Sequence, residues 1–196
     1  MRSLIRPAVV LLLFFTVLTG FVYPVVITGI AQAAFTHAAS GSIVSRDGKP
    51  IGSSLIGQNF SDPKYFWGRP SATSPQPYGG TASTASNLGP LNPALTDGIK
   101  ARIQALRAAD PGNLAPLPVD LVTASASGLD PEESLAAALY QAPRVARVRR
   151  LDPEVVQALV SAESQGRWLG LLGEPRVNVL ALNLALDDLA VKSGPR

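Results

Sequence analysis

Pro7-Ala8-Val9-Val10-Leu11-Leu12-Leu13-Phe14-Phe15-Thr16-Val17-Leu18-Thr19-Gly20-Phe21-Val22-Tyr23-Pro24-Val25-Val26-Ile27-Thr28-Gly29-Ile30 runs for 24 residues without a charged side chain. As a helix it measures roughly 36 Å at ~1.5 Å per residue, enough to cross a ~30 Å hydrocarbon core with some tilt. Fifteen of its residues are Val, Leu, Ile or Phe. At about −0.3 to −0.6 kcal/mol each they contribute roughly −5 to −9 kcal/mol towards insertion. The hydroxyls of Thr16, Thr19 and Thr28 can be satisfied inside the helix, and Tyr23-Pro24 predicts a kink. The segment therefore reads as a transmembrane anchor spanning the first 36 residues, with a separate domain over 37–196.

A cleaved secretory leader is the competing reading. Arg2 and Arg6 form a positive lead-in, and Ala31-Gln32-Ala33 resembles a cleavage site. The apolar run is far longer than the usual ~7–15 residues of a leader, which favours a retained anchor. Arg2 and Arg6 precede the span, and the first certain charge beyond it is Arg46. The positive-inside rule then puts the N-terminus in the cytoplasm and residues 38–196 outside it. For a bacterial protein this means a single-pass protein of the inner membrane with a periplasmic or exterior domain. Away from Arg2 and Arg6, the remaining Lys and Arg nearly balance the 14 acidic residues. A nucleic-acid-binding surface needs a basic excess, so that class is disfavoured. The chain has no cysteine, which rules out disulfides, thiolate metal sites and Cys nucleophiles. A single histidine, His37, cannot build a His-based metal site.

Beyond the anchor the pattern is α+β, a single mixed domain with about three to four helices and a small sheet. Ile43-Val44 and Leu55-Ile56 flank the polar turn Arg46-Asp47-Gly48-Lys49-Pro50, a hairpin signal. Gly57 to Asn92 is rich in Ser, Thr, Gly, Pro and Asn and too poor in aliphatics for a core of its own. It reads either as a flexible linker or, given Tyr65-Phe66-Trp67, as an ordered loop packed on a partner or on the domain. Asn92-Pro93 starts a helix with an Asn cap and Pro at its first position. Leu95, Ile99, Ile103 and Leu106 form its apolar stripe, with Lys100, Arg102 and Arg107 off it, and Asp110-Pro111-Gly112 ends it. Leu117, Val119 and Leu121 alternate as a short strand.

Leu129-Asp130-Pro131-Glu132 and Leu151-Asp152-Pro153-Glu154 each predict a helix with an Asp cap and Pro at its first position. Glu133 falls where it would complete a capping box with Asp130. Pro143 should end or kink the first of these helices. Arg144, Arg147, Arg149 and Arg150 follow, read as a solvated face or helix end, or as an anion or partner contact. Val177-Asn178-Val179-Leu180 alternates as a strand, and Leu182 to Leu189 is a terminal helix.

Catalytic patterns do not assemble. Gly48-Lys49-Pro50 lacks the hydroxyl of a phosphate-binding loop. His37 sits at the membrane end of the anchor, where a Ser-His-Asp triad is hard to build. Ser61-Asp62-Pro63-Lys64 matches the Ser-x-x-Lys hydrolase spacing, but no Lys-Thr-Gly strand accompanies it. Glu132-Glu133 and Asp187-Asp188 are adjacent pairs, which do not share a helix face.

The ordered blocks of the chain resemble the C subunit of the Kdp potassium-transporting ATPase, the KdpC family, over essentially the whole length. They are Thr19–Pro24, Thr28–Gln32, Gly52–Phe60, Tyr65–Ala72, Ser86–Pro90, Pro118–Pro131, Gln141–Ala146 and Val177–Asn183. One departure is Glu132-Glu133-Ser134, where family members often carry His or Asn followed by Ile-Ser or Ile-Thr. The resemblance implies an accessory subunit of an ATP-driven, high-affinity potassium uptake complex. Its partners would be a channel-like potassium-translocating subunit, a P-type ATPase subunit and a small fourth subunit. The chain lacks the Asp-Lys-Thr-Gly phosphorylation sequence, so the hydrolysing role belongs elsewhere.

The family is described as a catalytic chaperone that raises the ATP affinity of the pump subunit. The resemblance places that nucleotide role at Gln141, with Ser125 and Ser127 upstream. An outward domain would instead cap the ion entrance or brace the channel-like subunit. Partner contacts are expected at Gly20, where small residues allow close helix packing, and at Tyr65, Phe66, Arg69 and Asn87, in loops that are hard to explain as core. The alternative is a free-standing membrane-anchored binding or hydrolase domain.

Overall fold

The computed structural model of the chain describes residues Arg2–Lys192. The expected far end of the domain, Arg196, lies outside them. The chain divides into two compact units, one ending at Ile51 and the other beginning at Gly52.

In the first unit, α1 (Arg2–Val17) and α2 (Tyr23–Ala34) are joined by a π-helical turn, Leu18–Val22. Together they make one helical stretch, Ser3–Ala34, long and apolar enough to cross a membrane. The turn stands just before Pro24, where the sequence predicts a kink. Proline donates no N–H, and a wider turn with the Tyr23 N–H bonded back to the Leu18 carbonyl accommodates that gap. The Thr19 hydroxyl donates to the Phe15 carbonyl at 2.7 Å, so it is satisfied within the helix as expected. A short α3 (Thr36–Ala39) follows. Then β1 (Ile43–Arg46) and β2 (Lys49–Ser53) pair as a hairpin. Its two-residue loop, Asp47-Gly48, has φ of 52° and 74°, the positive values that a tight hairpin turn requires.

Among the described residues the second unit holds four α-helices and a three-stranded sheet. Its elements are α4 (Pro93–Ala109), β3 (Glu132–Ser134), α5 (Leu135–Arg149), α6 (Pro153–Ala162), β4 (Ser164–Gln165), β5 (Arg176–Asn178) and α7 (Val179–Lys192). The strand order is β3-β5-β4, with Glu133 opposite Val177 and Ser164 opposite Val177 on the other side. The sheet is antiparallel. Ala138, Ala142 and Ala146 of α5 share one buried core with Val156 and Val160 of α6 and Leu182 and Leu186 of α7, and the small alanines let α5 and α6 pack closely. A second cluster gathers Trp67, Leu106, Leu121 and Ala137.

Local signals placed two helix starts correctly. Asn92 accepts from the Ala94 N–H at 3.0 Å, and Asp152 from the Glu154 N–H at 2.9 Å. The α4 stripe faces inward, ending on buried Leu106.

Four expectations are corrected. Asp130 does not start a helix. Its carboxylate accepts from the Glu132 N–H in a turn, and Glu132–Ser134 becomes β3 because its backbone pairs with β5. The cap of α5 is Ser134, whose hydroxyl accepts from the Ala137 N–H at 3.1 Å. Its own N–H is held by Asp120 at 2.7 Å. Of the two outcomes expected at Pro143, ending the helix is excluded: α5 runs on to Arg149, and Pro143 lies on the exposed side where water can take the freed carbonyl. The run around Val119–Leu121 is a 3-10 turn between Pro118 and Val122, not a strand, as no neighbouring strand is paired with it. Finally, Val179 and Leu180 belong to α7, leaving only Arg176–Asn178 as strand.

Candidate functional site

The segment from Gly57 to Asn92 has almost no regular structure, yet it is tied down along its length. The Gly57 N–H donates to the Leu129 carbonyl, Ser125 to Pro70, and Thr84 to Ser127, at 2.9, 3.2 and 3.0 Å. The ordered-loop reading thus holds, with the rest of this unit as its support. Gly57 is required there: a Cβ would stand 2.5 Å from both the Asp130 carbonyl and the Tyr78 ring.

The centre of this arrangement is Phe66-Trp67. Two side-chain amides act as a substitute neighbouring strand. Asn183 of α7 accepts from the Phe66 N–H at 2.9 Å and donates to its carbonyl at 3.0 Å. Gln141 of α5 does the same for Trp67, at 2.9 and 3.1 Å. A buried extended backbone must have its N–H and C=O paired, and no strand is present to do it. Phe66 is wholly buried and Trp67 nearly so. The premise that this loop lacks a core to enter is therefore overturned, and Phe66 has no surface to offer a partner.

Charge surrounds the Trp67 ring. The guanidinium carbons of Arg144 and Arg102 lie 4.8 and 5.2 Å from its centroid. Arg144 also donates to the Gln141 amide oxygen at 2.7 Å and to the Pro63 carbonyl. Arg102 donates to the carbonyls of Leu121 and Gly68 at 3.0 and 2.8 Å. The Gln141 amide nitrogen makes a further bond, to Glu133 Oε2 at 2.8 Å. Burial, reinforced by Asp120, pushes the Glu133 carboxyl well above its usual range, with Arg144 and the Gln141 bond opposing. Its Oε1 has no partner. Burial likewise lowers the Arg144 guanidinium to about 10, which still leaves it charged at neutral pH.

Of the Arg144–Arg150 cluster, Arg147, Arg149 and Arg150 stand at the C-terminal end of α5, as the helix-end reading expected, with Arg147 and Arg150 exposed, while Arg144 is drawn inside. Arg144 is 2% exposed. Arg147 pairs with buried Asp110 at 2.8 Å, and Arg149 pairs with Asp187 at 2.7 Å while lying 4.7 Å from the Tyr65 ring centroid. Of α4, Arg102 turns inward rather than lying off the stripe. Arg102, Glu133, Arg144 and Asn183 escaped the sequence reading as site residues. Arg144 and Asn183 carried one signal, membership of the blocks Gln141–Ala146 and Val177–Asn183, whereas Arg102 and Glu133 lie in none of the blocks.

The expected nucleotide residues are each engaged by other parts of the chain. Gln141 has both lone pairs and both N–H groups engaged by the chain itself. Ser125 is buried and bonded through its backbone to Pro70. Ser127 is exposed; its hydroxyl accepts from the Leu129 N–H at 3.1 Å and its carbonyl from Ser83 at 3.0 Å. Among the expected contact residues, Arg69 is paired with Asp130 at 3.1 Å and Tyr65 donates to Asp187 at 3.2 Å. Asn87 is exposed in a left-handed turn with φ of 51°. Gly20 lies in the π-helical turn, where an added Cβ meets nothing within 4 Å.

Among the clefts that open on this unit are two roomy ones. One of about 510 Å³ is walled by Asp120, Asp130, Glu132, Arg69 and Arg176 among others; another of about 240 Å³ lies between α4 and the Ser86–Leu88 loop. Neither is lined by Gln141, Ser125 or Ser127.

These features define a class: a chain with one membrane-length apolar helix and an α+β unit in which a loop is locked by buried polar side chains. The family model for the K+-transporting ATPase c chain, KdpC, matches residues 5–188. A potassium-transporting ATPase KdpC subunit from Polaromonas naphthalenivorans is 64% identical over 195 residues, covering 100% of both chains. One from Variovorax paradoxus is 66% identical, covering 97% of this chain and 98% of its own. One from Dechloromonas aromatica is 62% identical, covering 97% and 100%. The chain belongs to the KdpC family.

Proposed function

We propose that this chain is the accessory, non-hydrolysing subunit of an ATP-driven potassium uptake complex of a bacterial inner membrane. The observation that carries the reading is the match along nearly the whole chain to proteins named as KdpC subunits. The apolar stretch Ser3–Ala34 supports a single-pass anchor. Charge placement supports a cytoplasmic N-terminus, with the domain from residue 37 outside the cytoplasm. The partners in this reading are a channel-like subunit, a P-type ATPase subunit and a small fourth chain. Gly20, on an open helix surface, suits close packing against a partner's membrane helix.

The engaged hydrogen bonds of Gln141 support a part in holding the domain together, and count against its direct contact with ATP. An effect on ATP affinity would then pass through the pump subunit. Because the chain has no cysteine, a Gln104→Cys variant on the exposed side of α4 gives a unique label site. Labelling of intact cells by a membrane-impermeant maleimide, in cells making the whole complex, is the expected result. Labelling only after permeabilisation would overturn the topology and return the nucleotide role around Gln141 to first place. Recovery of the chain with tagged pump subunit is expected; recovery of the chain alone would favour the free-standing domain.

A further inference from the structure

The loop between β4 and β5 folds back on itself. The Trp168 N–H donates to the Leu172 carbonyl at 2.8 Å, and the Leu172 N–H returns to Trp168 at 3.0 Å. Leu169 and Gly170 take φ of 53° and 73°, the left-handed backbone that a tight reversal needs. At its base Arg167 grips both oxygens of Glu174, at 2.9 and 2.8 Å. This small hairpin carries Trp168, Leu169, Leu171 and Leu172 at 66%, 75%, 81% and 59% exposure. Four large apolar side chains within five residues stand mostly in solvent on a preformed turn, outside both buried cores of this unit.

We propose that this tip is an anchor by which the chain docks into an apolar pocket on another subunit of its complex. The proposal rests on the subunit reading above. Three observations favour a protein pocket. The relatives that match this chain over nearly its whole length, tip included, are all named as subunits. The tip has the make-up of an interface centre, with a tryptophan among leucines and a paired Arg167–Glu174 rim, and tryptophan is enriched among residues that dominate binding energy. The hairpin is held by its own backbone bonds, so little ordering is needed on docking.

The test uses the full chain co-expressed with the other subunits. Trp168→Asp and Leu171→Asp are expected to lower its recovery with tagged pump complex by roughly tenfold or more. Leu114→Asp, at a still more exposed leucine elsewhere, should leave recovery unchanged. Trp67 is buried, so emission from wild type minus that of Trp168→Phe isolates the tip. In the complex it should shift to the blue without quenching by brominated lipid. Undiminished recovery of both Asp variants would overturn the docking proposal and leave subunit membership standing. Failure of the wild-type chain to co-purify would overturn that membership and the docking with it. Quenching of Trp168 by brominated phosphatidylethanolamine–phosphatidylglycerol vesicles, in the chain alone and in the complex, would assign the tip to the bilayer and overturn the protein pocket.

Discussion

Trp67 and Trp168 are the only tryptophans of the chain, both in irregular loops beside leucines or phenylalanine, and their surroundings differ completely. Trp67 is 5% exposed, its backbone bonded at both groups by Gln141 and its ring beside two guanidiniums. Trp168 stands in solvent on a hairpin that satisfies its own backbone. Aromatic content alone does not tell a core loop from a surface loop. What separates them is whether distant side chains supply hydrogen bonds to the loop's backbone, because burying that backbone unpaired would cost about 1–3 kcal/mol per group.

The largest effects should fall on the buried loop. Phe66→Ala is expected to destabilise the chain by about 3–5 kcal/mol, the range for an aromatic lost from a core, measured by denaturant unfolding of the detergent-solubilised protein. An effect under about 1 kcal/mol would break the comparison. Gln141→Ala leaves the Trp67 backbone, Glu133 and Arg144 short of partners, and should destabilise by roughly 2–4 kcal/mol. Nucleotide affinity of the purified chain falling while its stability stayed at the wild-type value would point to a ligand role instead.

The same cluster predicts a pH dependence. The Glu133 carboxyl is raised in the folded chain above its ordinary value near 4.5. Between the two values the folded state binds more protons than the unfolded one. Its contribution is therefore fully present below about pH 4.5 and is lost as pH rises through the folded pKa. Glu133→Gln should remove that loss, so unfolding midpoints followed from pH 5 to 8 should decline less in the variant. A parallel decline in both proteins would contradict the upward shift of the Glu133 carboxyl.

Smaller effects belong to local and exposed sites. Asp152→Ala removes the cap of α6 and should lower stability by about 1 kcal/mol. Trp168→Ala should change it by no more than about 0.5 kcal/mol, because an exposed tip has little packing to lose. A larger loss would show that the tip braces the fold and would erase the contrast between the two tryptophans.

By itself the sequence determined what neighbours within a few positions control. The membrane-length helix follows from an uninterrupted apolar run. The starts of α4 and α6 follow from an Asn and an Asp, each just before a proline, whose side chains reach an N–H two residues on. The hairpin turn follows from Asp47-Gly48. The ordered blocks carried the family. Tertiary structure alone decided the interior of the second unit. Trp67 and Gln141 are 74 positions apart, Phe66 and Asn183 117, and no local pattern announces either pairing. The same holds where local chemistry pointed the wrong way. Asp130-Pro131-Glu132-Glu133 offers a good helix start, yet a strand 44 positions onward pairs with Glu133 and takes the segment into the sheet. Arg144 looks like surface charge until a tryptophan ring, a glutamine and a carbonyl enclose it. A side chain's burial depends on what the rest of the chain brings to it, and that is a property of the folded whole.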